Sequence, residues 1–352
     1  MTNRELIDEL NKSKSLTFAD WKVLMETFSD EDRTYAAEIA RDIALQRFEN
    51  KIYFRGIIEF TNICKNDCLY CGIRRSNNCL SRYRLTKDDI LTSCEVGYKL
   101  GFRTFVLQGG EDGYFNDDRM SDIVSEIHSC YPDCAITLSI GERTRESYQK
   151  LFDAGAERYL LRHETADEMH YRKLHPPELS WQHRKQCLYD LKEIGYQTGC
   201  GCMVGSPYQT AECLAKDMMF MSEFKPHMIG MGPFIPHRDT PFRDFQTGST
   251  ETTLFLISLC RIMLPNVLLP ATTALGTVRG DGRQLGVKAG ANVIMPNLSP
   301  LEVRKKYMLY DNKVGTNDES EESIQKLKKQ MKQIGYEIVV DRGDFHEEGA
   351  TT

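Results

Sequence analysis

From Arg55 to about Met295 the chain alternates short apolar runs with amphipathic stretches, and this rhythm constrains the fold more than any other feature. The apolar runs are Gly56–Phe60, Thr104–Gln108, Ala135–Ile140, Arg158–Arg162, Thr198–Val204, His227–Gly232, Leu269–Thr273 and Asn292–Met295, which makes eight predicted strands. Helical periodicity covers 87–100, 117–130, 144–154, 180–194, 210–223, 249–263 and 281–289. Gly101, Gly155 and Gly195 each end a helical run just before a strand, where a C-terminal helix cap favours glycine. Eight strand–helix repeats predict an α/β fold, a (β/α)8 TIM-type barrel, with a doubly wound sheet as the alternative. Residues 1–50 read as an N-terminal helical cap, 51–310 as the barrel and 311–352 as a C-terminal extension. That extension holds a helix near 320–334, a strand or arm at Tyr336–Val340 and a tail, Glu347–Thr352, expected to be mobile.

Hydrophobic residues make up 41% of the 352 and charged ones 27%, enough apolar material for a large core. The formal charge of −6 gives no global basic field, which argues against nucleic-acid binding or an anionic membrane as partner. The N-terminus lacks an apolar signal core, and the stretch Leu254–Leu264 is too short to span a bilayer and carries Arg261. A cytoplasmic protein is expected. Twelve cysteines without a secretion signal then read as buried thiols, reactive thiols or metal ligands rather than a disulfide framework.

Three of them stand together in Cys64-Lys-Asn-Asp-Cys68-Leu-Tyr-Cys71, just after the first predicted strand, where the functional loops of such a barrel emerge. Three thiolates on one loop suit a soft metal centre, an iron–sulfur cluster or zinc. Structural zinc normally takes four protein ligands, and no fourth stands at comparable spacing; Cys79 reads equally well as a buried thiol. Three cysteines on a cubane would leave one iron open. Gln108-Gly109-Gly110-Glu111 ends the second strand: the glycines permit close backbone approach and Glu111 offers an anionic acceptor, although a plain turn is the alternative. Leu161-Arg162-His163-Glu164 ends the fourth strand, and polar groups there would face the mouth. His163-Glu164 is not a zincin motif, because Asp167 stands where the second histidine would be. Val204 stands where a dinucleotide fingerprint starting at Gly199 needs glycine, and there is no P-loop.

The CX3CX2C spacing, with an aromatic before the last cysteine, resembles the radical S-adenosylmethionine (radical SAM) superfamily. The segments IEFTNICKNDCLYCGIRRSN, RTFVLQGGED, AITLSIGE, RYLLRHETAD, GPFIPHRDTPF, LPATTALGT and ANVIMPN resemble the HydE family of [FeFe]-hydrogenase maturases, with biotin synthase and methylornithine synthase as more distant relatives. The resemblance implies one [4Fe-4S] cluster on Cys64, Cys68 and Cys71, with S-adenosylmethionine as cofactor and oxygen sensitivity. It implies that Gly109, Gly110 and Glu111 bind the methionine moiety, with Ser139 and Glu164 as further contacts, Arg184 as a carboxylate clamp and Tyr70 beside the adenine or in the core. Arg55, Thr137, Arg158, Arg162, Thr272 and Thr273 would face an anionic substrate, together with Met228, Met295, Tyr307 and Tyr310; surface ion pairs are the alternative for the arginines and core filling for the methionines. The implied substrate is a small iron complex bearing CO, cyanide and cysteine, within a pathway that includes the maturases HydG and HydF and a ferredoxin or flavodoxin donor. With no cysteine after Cys260, a second C-terminal cluster is not expected. A methylornithine-synthase-like mutase, a biotin-synthase-like sulfur-insertion enzyme and a zinc-binding scaffold are the competing readings; Cys130, Cys134, Cys200 and Cys202 would be the extra ligands of the second.

Overall fold

A computed structural model describes residues 1–316 and 320–347. Its strands are β1 (Lys51–Phe54), β2 (Gly56–Thr61), β3 (Thr104–Gly109), β4 (Ala135–Ser139), β5 (Arg158–Leu160), β6 (Gln197–Cys200), β7 (Met203–Val204), β8 (Met228–Ile229), β9 (Gly232–Pro233), β10 (Val293–Ile294) and β11 (Glu337–Val339). Six form a continuous parallel sheet in the order β2-β3-β4-β5-β6-β8. Helices Lys87–Lys99, Asp117–Cys130, Arg145–Asp153, Trp181–Ile194, Ala211–Phe224 and Thr250–Met263 follow the expected rhythm. Each starts at a capping Ser, Thr or Asn (Thr86, Asn116, Thr144, Ser180, Thr210, Ser249) whose side chain accepts the third backbone N–H of its helix. Gly101, Gly155 and Gly195 take the left-handed geometry expected of C-terminal caps.

The ring differs from eight full ladders. The predicted strand Leu269–Thr273 is absent; single parallel bridges, Met228↔Leu268, Pro270↔Val293 and Ile57↔Asn297, span this seam. Pro270 has no N–H to give a ladder, so pairing there stays local. The run Thr198–Val204 splits into β6 and β7 around Gly201, and His227–Gly232 splits into β8 and β9. β1, unforeseen from sequence, pairs in parallel with β10 on one side and β11 on the other.

The N-terminal region forms three helices, Asn3–Ser13, Phe18–Thr27 and Asp30–Phe48, lying against the barrel flank. Leu6, Trp21 and Leu24 join the same apolar cluster as the barrel strands, and Phe28 stacks on Phe255 at 4.4 Å. Among the described residues no helix is long and apolar enough to cross a membrane. The tail beyond Glu347 lies outside the described residues.

After β11 the chain turns beneath the N-terminal ends of the strands. Arg158, fully buried at the start of β5, donates to Thr104 Oγ1 (3.0 Å), Arg342 O (3.0 Å) and Asp344 Oδ1 (2.5 Å). Gln197 and Arg342 also donate to Asp344. Burial opposes the charge of Asp344, but Arg158 and these bonds outweigh it and hold the carboxyl well below its ordinary value.

Asp344→Asn should therefore destabilise the protein by about 2–3 kcal/mol, since it strands a buried guanidinium while its own site is partly solvated. A depressed carboxylate contributes fully above the unfolded pKa of about 4 and loses its contribution as pH falls through the folded value. The gap in Tm between wild type and variant should accordingly be constant from pH 8 to pH 5 and shrink on further acidification.

Candidate active site at the strand C-termini

Consecutive contacts link the C-terminal ends of four neighbouring strands, β2 to β5. After β2, the cysteine loop is organised by Arg82, which donates to the carbonyls of Asn62, Ile73, Arg74 and Asn77, and by Asp67, held by both Arg74 and Ser76. The loop presents Cys64, Cys68 and Cys71 as free, half-exposed residues. The Glu111 N–H points at Cys64 Sγ (3.4 Å), and Lys65 N donates to Glu111 O. Burial, and secondly the neighbouring sulfurs, push the pKa of Cys68 well up and that of Cys71 to about 12. A thiolate-binding cationic centre would supply the charge this pocket lacks, so the donor set fits an iron–sulfur cluster.

The contacts continue beyond β3. A Cβ on Gly110 would stand 2.2 Å from Ile63 O, so only glycine lets the Gln108–Glu111 turn lie against the cysteine loop. Glu111 Oε1 accepts from Glu142 N (3.0 Å), while buried Oε2 has no hydrogen-bond partner; Lys65 Nζ is 3.2 Å away. The exposed Lys65 ammonium thus already pairs with this oxygen, and a ligand ammonium would fit the same place by displacing it. Glu142, which the sequence reading did not single out, follows β4 and Gly141 as Glu111 follows β3 and Gly110; that repeated strand–Gly–Glu pattern was the available signal. Its carboxylate takes Arg184 Nε at 2.5 Å, and Arg184 Nη1 donates to Arg162 O at 2.7 Å. Burial opposes the charge of Arg184, but Tyr171 and Glu142 outweigh it and raise its pKa. Arg162 Nη2 in turn donates to Glu164 Oε2 at 2.6 Å.

Tyr70, half-buried between the cysteines and Glu164, directs its hydroxyl to His175 Nε2 at 3.2 Å. His175 Nδ1 lies 3.0 Å from Tyr171 O, so Nδ1 carries the proton and Tyr70 donates. Burial, reinforced by Arg184, pushes His175 down to about 3, so it is neutral in the working range. Ser139 ends β4 in register with Gln108.

The expected substrate residues separate into two levels. Arg162 belongs to the strand-end contacts. Arg55 and Arg158 lie at the opposite end, both buried: Arg55 donates to Met228 Sδ (2.8 Å) and Gly343 O (3.3 Å), and its Nε is unpartnered. They are not surface ion pairs. Thr137 lies between the levels, beside Arg158 in register, with a buried Oγ1 that has no partner. Thr272 and Thr273 are not on a strand: Thr272 caps the helix Thr273–Val278, and Thr273 accepts from Arg283 Nη2. Thr273 and Met295, with Ile57, Glu59, Arg283 and Lys313, line a cavity of about 220 Å³ at the bridged seam. Tyr307 is buried and Tyr310 half-buried; nearby, Lys313 ion-pairs with buried Glu59. Cys79 is exposed, against the expectation of a buried thiol, whereas Cys200 and Cys202 are buried in the apolar core.

Residues 58–221 match the model of the radical SAM superfamily. Over 338 residues the chain is 42% identical to the [FeFe] hydrogenase maturase subunit HydE of Thermotoga maritima, covering 95% of each chain. Its fold is similar to the crystal structure of methylornithine synthase, with a TM-score of 0.82 and 27% identity over 95% of this chain and 97% of that one. The maturase HydG superposes with a TM-score of 0.79 at 20% identity, covering 96% of this chain and 76% of that one, a likeness of fold alone.

Gly141 has φ +77°, and a Cβ on it would stand 2.1 Å from Glu111 Cγ. Gly141→Ala should cost about 1–2 kcal/mol in left-handed backbone alone and displace Glu111. The expected outcome is a Tm lower by several degrees and an S-adenosylmethionine Kd raised about ten-fold, by thermal melt and calorimetry of the reconstituted protein.

Proposed function

The chain belongs to the radical SAM superfamily and, within it, to the HydE family of [FeFe]-hydrogenase maturases, and on that premise we propose that it acts during assembly of the hydrogenase cluster on a small iron complex bearing CO, cyanide and cysteine. The observation that carries this reading is the run of contacts from Cys64 to Glu164, which puts the cluster ligands and a charged ligand cradle side by side. Bound on Cys64, Cys68 and Cys71, a [4Fe-4S] cluster supplies the electron that splits S-adenosylmethionine into methionine and a 5′-deoxyadenosyl radical. Glu111, through Oε2, would take the ammonium of the methionine moiety in place of the exposed Lys65 ammonium. Arg184 would take its carboxylate, already oriented by Glu142 and the Arg162 carbonyl. Gly109 and Gly110 let backbone approach without a side chain between, and the Glu164 carboxylate, steadied by Arg162, would accept from hydroxyls of the nucleoside.

The barrel interior supports an anionic substrate. Arg55, Arg158 and Arg162 are buried or half-buried along one interior, each with an unpartnered Nε, and Thr137 adds an unpartnered hydroxyl. Only Asp344 and Glu164 ion-pair with these three arginines among the described residues, so a cyanide-bearing iron complex would meet excess positive charge in a site that excludes water. Delivery of that complex by HydG, transfer of the product toward HydF and reduction by a ferredoxin or flavodoxin complete the proposal. A single cluster is part of it: Cys200 and Cys202 lie beside Cys260 and Asp217, buried in the core.

Anaerobically reconstituted protein given S-adenosylmethionine and dithionite should release 5′-deoxyadenosine, scored by mass spectrometry. Cys68→Ser should reduce it to background; undiminished release would refute the cluster assignment. The structural likeness to methylornithine synthase favours an amino-acid mutase as the second reading. A rearranged product from lysine would establish that reading and displace the first.

A further inference from the structure

His163, Cys202 and Asp217 form a fully buried cluster whose ligand atoms lie within 4.8 Å of one another, a grouping that has the composition of a metal site. The hydrogen bonds argue against a metal. The N–H of Gly201 donates to His163 Nδ1 at 3.2 Å, so Nδ1 is an acceptor and the ring proton sits on Nε2. That proton points at Asp217 Oδ1, 3.2 Å away, and a metal at Nε2 would have to replace it. The ring is further enclosed by Phe220 at 4.9 Å and Trp181 at 6.2 Å between centroids.

What the cluster brackets is Glu164. Its φ of +64° is a conformation that residues with a side chain rarely adopt, so something outside the residue must hold it. Gly201 holds it from one side: its carbonyl accepts from Glu164 N (3.0 Å) while its N–H is committed to His163. A side chain at Gly201 would stand 2.0 Å from Gly230 O, so this backbone cannot shift outward. Asp217, on the helix Ala211–Phe224, holds it from the other side, because the same Oδ1 that takes the His163 proton also accepts from Ala166 N at 2.5 Å. Residues 163 and 166 are thus pinned to one carboxylate oxygen, and the strained turn lies between them.

We propose that His163 and Asp217 are positioning residues for S-adenosylmethionine: they fix the left-handed turn at Glu164, and so the aim of its carboxylate, without touching the ligand. This rests on the reading that Glu164 contacts S-adenosylmethionine. The test is a double-mutant cycle on the dissociation constant of S-adenosylmethionine, measured calorimetrically on reconstituted protein with cluster content checked by iron and sulfide analysis. His163→Phe keeps a ring in the aromatic cage and removes both bonds; Asp217→Leu serves in the same cycle if that variant does not fold. Glu164→Gln and His163→Phe should each raise Kd about ten-fold at unchanged cluster content, and the second change should add less than two-fold on top of the first. Additive losses would assign His163 a general structural role and overturn the proposal alone. A Glu164→Gln variant with wild-type affinity would overturn the ligand role of Glu164 and the proposal with it. One equivalent of zinc removed by Cys202→Ala would make the cluster a metal centre and overturn the positioning role.

Discussion

A single buried guanidinium, that of Arg184, joins the two halves of the candidate site. Through Nε it holds Glu142, whose N–H holds Glu111 and with it the turn against the cysteine loop. Through Nη1 it holds the carbonyl of Arg162, whose side chain steadies Glu164. Taking such a pair out of water costs several kcal/mol per ion, so its presence is poor evidence of stability. Its effect is on geometry: three strand ends acquire fixed spacing from one planar group with several donors.

Around this tie the site is built largely from backbone. Gly110, Gly141 and Gly201 each stand where a Cβ would collide with a neighbouring strand or its following loop, at 2.2, 2.1 and 2.0 Å. Parallel strands bring their C-terminal turns together, and glycine at each turn lets them touch rather than merely face one another. Side chains then fill defined places. Tyr70 is an example: its hydroxyl goes to His175, so the residue between two cysteines ties their loop to the helix Glu168–Leu174 and its C-cap.

The local parts of this arrangement were legible in the sequence. Alternation placed β2 to β6 and the helices after them, and the cysteine spacing with Gly110-Glu111 and Arg162–Glu164 gave most of the mouth. Features that depend on distant partners were not. β1 is not among the predicted strands, and the strands it pairs with, β10 and β11, come far later in the chain. Leu269–Thr273 has the composition of a strand, but Pro270 breaks the ladder and Thr272 is diverted to a helix cap. Arg55 and Arg158 read as ligand groups or surface charges; sequence spacing carried no sign that residues 342–344 would sit beneath them.

That last contact has a consequence for synthesis. Asp344 follows Arg158 by 186 residues, and chains are made from the N-terminus at about 5–20 residues per second. The strands β2 to β5 are therefore complete about 10–40 s before the carboxylate that neutralises Arg158 exists. During that interval the nascent barrel must leave its lower end hydrated, because a guanidinium without a partner resists burial. The final closing of the interior is thus a late, long-range event: β6, β8 and β10 are themselves made only within this interval, and the carboxylate beneath Arg158 arrives after all of them.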